Sequence, residues 1–130
     1  MLPKAESVEE VQEMWKCMER AGASHKTKLW CVIETAKGVT NVDEIAEVGS
    51  QRYNVNCLTA GTNDLANSLD IEDTPDRMPL LYSLSRIIVA ARANGLVCLD
   101  GVHNNVRDLE GFARTAEQVC YISFRETVKD

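Results

Sequence analysis

No stretch of this chain is apolar for long enough to cross a bilayer. The most apolar window, Ile87-Ile88-Val89-Ala90-Ala91, is short and closely flanked by Arg86 and Arg92. Basic clusters are missing as well: lysines and arginines never gather beyond two or three, and the net charge is −6. Neither nucleic acid nor an acidic membrane surface would be drawn to such a chain. Met1-Leu2-Pro3-Lys4-Ala5-Glu6 has no apolar core behind it, so no signal peptide is predicted. There is no C-x-x-C pair, and the cysteine count (Cys17, Cys31, Cys57, Cys98, Cys120) is odd. That spacing builds neither a zinc site nor a disulfide framework. Cys31, Cys57 and Cys98 fall in the predicted strands of the central sheet, where a free thiol packs as a small hydrophobe. A reducing compartment is expected: the cytoplasm, or the mitochondrial matrix if a targeting segment lies upstream. Repeats, low-complexity segments and linkers are absent too, so residues 1–130 are expected to form one unit.

What is present is an alternation of strands and helices. At 130 residues, 45% hydrophobic and 26% charged, the chain can bury one real core. Leu2-Pro3-Lys4 reads as the tail of a strand. Ser7 and Glu10 form a capping box that opens a helix with Val8, Val11, Trp15 and Met18 on one side, ending near Gly22. The run Leu29 to Ile33 is a short buried strand. Asn41-Val42-Asp43-Glu44 predicts a helix through about Val48, and Val55 to Thr59 a second strand. The segment Gly61–Asp64 reads as a loop, followed by a polar excursion from Asp70 to Asp76. Leu80, Leu81, Leu84, Ile87, Ile88 and Ala91 recur at three- and four-residue steps, with Pro79 before them and Asn94-Gly95 as the stop. Leu96 to Leu99 is a third strand, Asp108 to Gln118 a last helix, and Val119 to Phe124 a final strand. Such alternation implies a parallel sheet, either doubly wound or part of a (β/α)₈ barrel.

Two acids stand out against this frame. Glu34 closes the first of the apolar strands, and Asp64 follows the next in Gly61-Thr62-Asn63-Asp64. The C-terminal edge of a parallel sheet is where ligands and metals are held. Carboxylates on neighbouring strands can converge there on one hard cation such as Mg²⁺, and the pair suggests a metal-assisted enzyme. The bland alternatives are that Glu34 caps a helix or pairs with a lysine such as Lys37, and that Asp64 is the N-cap of a helix over Leu65 to Leu69. The Gly61-Thr62-Asn63 backbone is suited to binding a substrate carboxylate, because glycine permits close approach, although such a segment is also an ordinary turn.

Four segments in order carry a resemblance: Leu2-Pro3-Lys4; Val32-Ile33-Glu34-Thr35 with Asn41 and Glu44-Ile45; Gly61-Thr62-Asn63-Asp64-Leu65; and Ala90-Ala91-Arg92-Ala93-Asn94-Gly95 running to Asp100-Gly101-Val102. Together they resemble the HpcH/HpaI aldolase and citrate lyase beta-subunit family, particularly its citrate lyase beta-like members. The resemblance implies a partial (β/α)₈ TIM barrel, about the second half, lacking the family's N-terminal strands and C-terminal end. It implies a carbon–carbon lyase or aldolase that uses Mg²⁺, or another divalent metal such as Mn²⁺. The substrate class it implies is a small hydroxy or oxo acid or its coenzyme A thioester, handled by a homo-oligomer. It places the metal on Glu34 and Asp64 and the substrate carboxylate on Gly61, Thr62 and Asn63. The alternative is a catalytically inactive fragment that only binds metal or associates with other chains, since a half barrel leaves two open edges and an uncovered inner face.

The remaining polar residues carry less. Asp100 is a third acid at a strand end, able to line the pocket or sit in a surface turn. His103 reads as a loop histidine with no partner in sequence, and His25 as lying on the opposite edge of the barrel. Lys4, at a strand end, could meet an anion. Trp15 and Trp30 fit core packing better than a coenzyme stack.

Overall fold

The computed structural model describes residues 1–72 and 74–122, with side chains through residue 118. Helix α1, Val8–Arg20, starts where Ser7 Oγ accepts the Glu10 N–H at 3.3 Å. The returning arm of the capping box goes one residue further out: Glu10 Oε2 accepts from the N–H of Glu6 at 2.8 Å. The helix stops at Ala21 because Gly22 takes φ +85°, a left-handed conformation that glycine adopts without steric cost.

Three strands form one parallel sheet in sequential order: β1 (Leu29–Ile33), β2 (Val55–Ala60) and β3 (Val97–Leu99). Leu2 adds a parallel bridge to Cys31 on the outer side of β1, as a strand tail would. Between β1 and β2 lie α2 (Ala36–Thr40) and α3 (Val42–Arg52). The sequence predicts only the second of these and ends it near Val48. Thr35 caps α2 by accepting the Gly38 N–H, and Asn41 spends its amide on the Glu6 carbonyl rather than on capping α3. After β2 comes α4 (Thr62–Leu69), then a 3₁₀ turn at Met78–Leu80, and α5 (Leu81–Ala93). The last described element is α6 (Leu109–Ile122). The expected strand over Val119 to Phe124 is therefore helical through Ile122, while Ser123 and Phe124 lie outside the described residues.

Strand alternation sorts the sheet into two faces. Leu29, Cys31, Ile33, Leu58, Ala60 and Cys98 pack with Val11 of α1, Val42 and Ile45 of α3, and Leu84 and Ile87 of α5 in one buried cluster. Register sets Cys31, Leu58 and Cys98 side by side in that layer. Burial pushes both thiols up to about 12, so they remain protonated hydrophobes. Trp30, Val32, Thr59, Val97 and Leu99 lie on the other, open face. Trp30 is 38% exposed there, so it does not pack in the core as its sequence suggests. Helices α1, α3 and α5 packed on one face, beside strands in sequential parallel order, describe an arc of a barrel wall. No helix among the described residues is long and apolar enough to cross a membrane.

Candidate metal and carboxylate site

The pairing of Ile33 with Ala60 puts Glu34 and Gly61 next to each other at the C-terminal edge of the sheet. The N–H of Gly61 donates to the Ile33 carbonyl at 3.0 Å. A side chain on Gly61 would overlap Glu34 Oε2, so the approach requires a glycine for space. Gly61 is the N-cap of α4, not part of a loop; Thr62, Asn63 and Asp64 form the first turn of the helix. Asp64 is therefore not an N-cap. Gly61 supplies no side-chain cap, and a first turn leaves its N–H groups without partners inside the helix. The positive end of α4 and the open amides of Thr62 and Asn63 together suit an anion.

Lys4 bridges the two acids. Its N–H donates to Glu34 Oε1 at 2.8 Å, and its ammonium lies 3.8 Å from Asp64 Oδ1. Lys37 pairs with Glu6 instead, leaving Glu34 outside the ion pair its sequence allows. Glu34, Gly61, Thr62, Asn63 and Asp64 line one open pocket of about 260 Å³, together with Val32, Thr59 and Asp100. The structure thus brings all five sequence-predicted site residues together.

Asp100 lines the same pocket and is no surface-turn acid. Its Oδ2 accepts from Arg77 Nη1 at 2.7 Å and its Oδ1 from the Gly101 N–H at 2.8 Å. His103 stands apart, its ring edge-on to Phe112 with centroids 5.9 Å apart. His25 lies at the opposite edge, where its carbonyl accepts from Asn54 just before β2. Arg77 is the residue that sequence reasoning misses. It follows directly on the polar excursion and gives no periodic signal, yet it is only 8% exposed.

The donor set fits a hard divalent ion. Two carboxylates face one open pocket, and among the described residues no group of three His, Cys, Asp or Glu side chains forms a closed cage. Mg²⁺ takes one or two protein carboxylates and leaves its other octahedral positions to water and ligand oxygens.

A family model described as HpcH/HpaI aldolase/citrate lyase matches residues 1–128. The chain belongs to this family. A (3S)-malyl-CoA thioesterase of Cereibacter sphaeroides is 41% identical over 90 residues, 69% of this chain and 30% of that protein. Citrate lyase subunit beta of Haemophilus influenzae is 29% identical over 131 aligned positions, covering 95% of this chain and 43% of its own length. Among solved structures, the CitE protein of Mycobacterium tuberculosis in complex with magnesium and acetate superposes with a TM-score of 0.73 at 28% identity. That match covers 95% of this chain and 48% of the other. This HpcH/HpaI-family chain thus spans less than half the length of these relatives. Its fold is that of a partial (β/α)₈ barrel with parallel strands.

Proposed function

We propose that this chain carries the metal-binding part of a divalent-metal-dependent carbon–carbon lyase or aldolase of the citrate lyase beta type. Its substrate would be a small hydroxy or oxo acid or the corresponding coenzyme A thioester, and its setting a soluble compartment, the cytoplasm or the mitochondrial matrix. Glu34 and Asp64 would hold Mg²⁺ or Mn²⁺, and Gly61, Thr62 and Asn63 would hold a substrate carboxylate, through the amides of Thr62 and Asn63 with Gly61 leaving space for its approach, since the Gly61 N–H is spent on the Ile33 carbonyl. Residues 1–130 form one partial-barrel unit in this reading, which works within a homo-oligomer. The observation that carries it is that one pocket collects both acids and the open first turn of α4. The magnesium and acetate in the M. tuberculosis relative support the same ligand pair.

The chemistry needs these parts. Breaking a carbon–carbon bond next to a carbonyl leaves an enolate, which is a poor leaving group unaided. A divalent ion supplies Lewis-acid stabilisation of the developing negative charge. Glu34 is held by the Lys4 N–H, and Asp64 stands in the first turn of α4 with the Lys4 ammonium 3.8 Å from its Oδ1. The amides of the first turn of α4 would anchor the substrate's carboxylate beside the two acids, which orients the reacting bond. Arg77 keeps Asp100 engaged, which leaves that acid as a wall of the pocket rather than a third ligand.

A second reading has its own observation. The open face of the sheet and the exposed side chains of Val102, Val106, Leu109 and Phe112 suit a piece that binds metal or joins other chains without catalysis. Purified chain incubated with malyl-CoA, with and without Mg²⁺, separates the two. Metal-dependent release of a shorter acyl-CoA supports the lyase. Mg²⁺ binding without turnover supports the non-catalytic piece.

A further inference from the structure

A second cavity of about 300 Å³ adjoins the first and shares Thr62, Asn63 and Val102 with it. It lies between the start of α4, the segment before the 3₁₀ turn and the first turns of α6. Arg77 lines it, and the three nitrogens of its guanidinium are in three different situations. Nε donates to Gln118 Oε1 at 2.8 Å, and Nη1 donates to Asp100 Oδ2 at 2.7 Å. Nη2 is buried with no hydrogen-bond partner among the described residues. His103, on the same cavity wall, likewise has a buried Nε2 without a partner.

An unpaired buried donor costs about 1–3 kcal/mol, more on a charged group, so a native arrangement that keeps one calls for an explanation. The guanidinium here cannot turn to relieve it, because Asp100 and Gln118 hold two of its edges. Gln118 is itself fixed, donating from Nε2 to the Asp76 carbonyl at 2.6 Å. Arg77 also sits at φ +53°, a left-handed conformation uncommon for a residue with a Cβ. The cavity carries Arg114 as a second cation. Its acid, Asp108, is engaged in capping α6, accepting the Gly111 N–H at 2.8 Å.

We propose that this cavity is an oxyanion site in which Arg77 Nη2 reads a carboxylate or phosphate oxygen of a bound ligand. Asp100 and Gln118 are positioning residues for that guanidinium, and His103 is a second contact. The oxyanion site stands on the Arg77 geometry alone. That the oxyanion is the far end of a ligand whose reacting end lies beside Glu34 and Asp64 rests on the proposed function.

The test titrates inorganic phosphate and, separately, acetate into the full chain at low ionic strength by calorimetry, with EDTA present and again with Mg²⁺. The double variant R77Q/D100N removes both members of the buried ion pair together and leaves no lone buried charge. Saturable binding of either anion in EDTA, weakened at least tenfold in the double variant, is expected. A preference for phosphate identifies a phosphorylated ligand, and a preference for acetate the free end of a dicarboxylic acid. Binding of neither anion, or equal binding by both proteins, overturns the proposal. If the double variant does not fold, the NMR signal of Arg77 Nε–H in the unmutated chain decides. It should move as phosphate or acetate is added, and a signal unmoved by both anions overturns the site. Because the EDTA arm contains no divalent metal, a failed metal site and a failed oxyanion site give different results.

Discussion

Replacing Gly61 by alanine adds one methyl group at the closest approach in the site. The backbone of Gly61, at φ −92° and ψ 77°, is open to alanine, so any effect is steric rather than conformational. The added Cβ would overlap Glu34 Oε2 and lie 2.5 Å from Glu34 Cβ and 3.1 Å from Val32 Cγ1. A carboxylate can swing aside, but Glu34 Cβ is tied to the strand end, and the Gly61 N–H to Ile33 carbonyl bond holds the two backbones together. Relief must come from moving β1 and the head of α4 apart. Overpacking of this kind costs about 1–3 kcal/mol. Displacing Glu34 should also weaken Mg²⁺ binding by roughly 10–100-fold, the range seen when the support of a metal ligand is altered. Urea melts give the first quantity and titration calorimetry the second. An unchanged urea midpoint together with unchanged Mg²⁺ affinity would refute the close approach itself. Lowered stability with normal affinity would show that Glu34 is not a ligand.

Four further outcomes are expected. Asp64→Asn should lower Mg²⁺ affinity at least about tenfold, because a hard cation needs the charge. It should cost no more than about 1 kcal/mol in a urea melt, since the Lys4–Asp64 pair is half exposed or more on both sides; the reverse pattern would make Asp64 a structural acid. Among the described cysteines, Cys17 should react promptly with a thiol reagent and Cys31 and Cys98 only on unfolding. Burial raises the Cys31 and Cys98 thiols from 9.0 to about 12, so the folded state holds their protons where the unfolded chain releases them. Stability should fall as pH rises from about 9 to about 12, and C31A/C98A should flatten that fall. The chain should self-associate at micromolar concentration and bind an apolar dye, because Trp30, Val102, Leu109 and Phe112 are exposed; sedimentation as a monomer with no dye response would contradict this.

The strands and the long α5 are legible in the sequence because their apolar spacing and stop signals are local. The meeting of Glu34 with Gly61–Asp64 is legible for the same reason, since parallel strands in sequence order bring their C-terminal ends to one edge. Features decided by tertiary contact are not legible. Helix α2 holds only five residues around Gly38 and is marked by little besides the Thr35 cap. Trp30 looks like core until the register assigns it to the open face of the sheet. Arg77 is one polar residue among many until Asp100 and Gln118 enclose it. The apolar run after Gln118 has strand-like composition, but α6 continues through it as far as Ile122.

The central claim is that Glu34 and Asp64 share one divalent cation at the head of α4. Substoichiometric Mn²⁺ added to ¹⁵N-labelled chain tests it most directly, because the ion broadens amide signals according to their distance from it. The signals of Lys4, Glu34 and residues 61–64 should vanish first and return when Mg²⁺ is added in excess, with no such loss in E34Q/D64N. Broadening centred elsewhere, or equal broadening in the double variant, would contradict the claim.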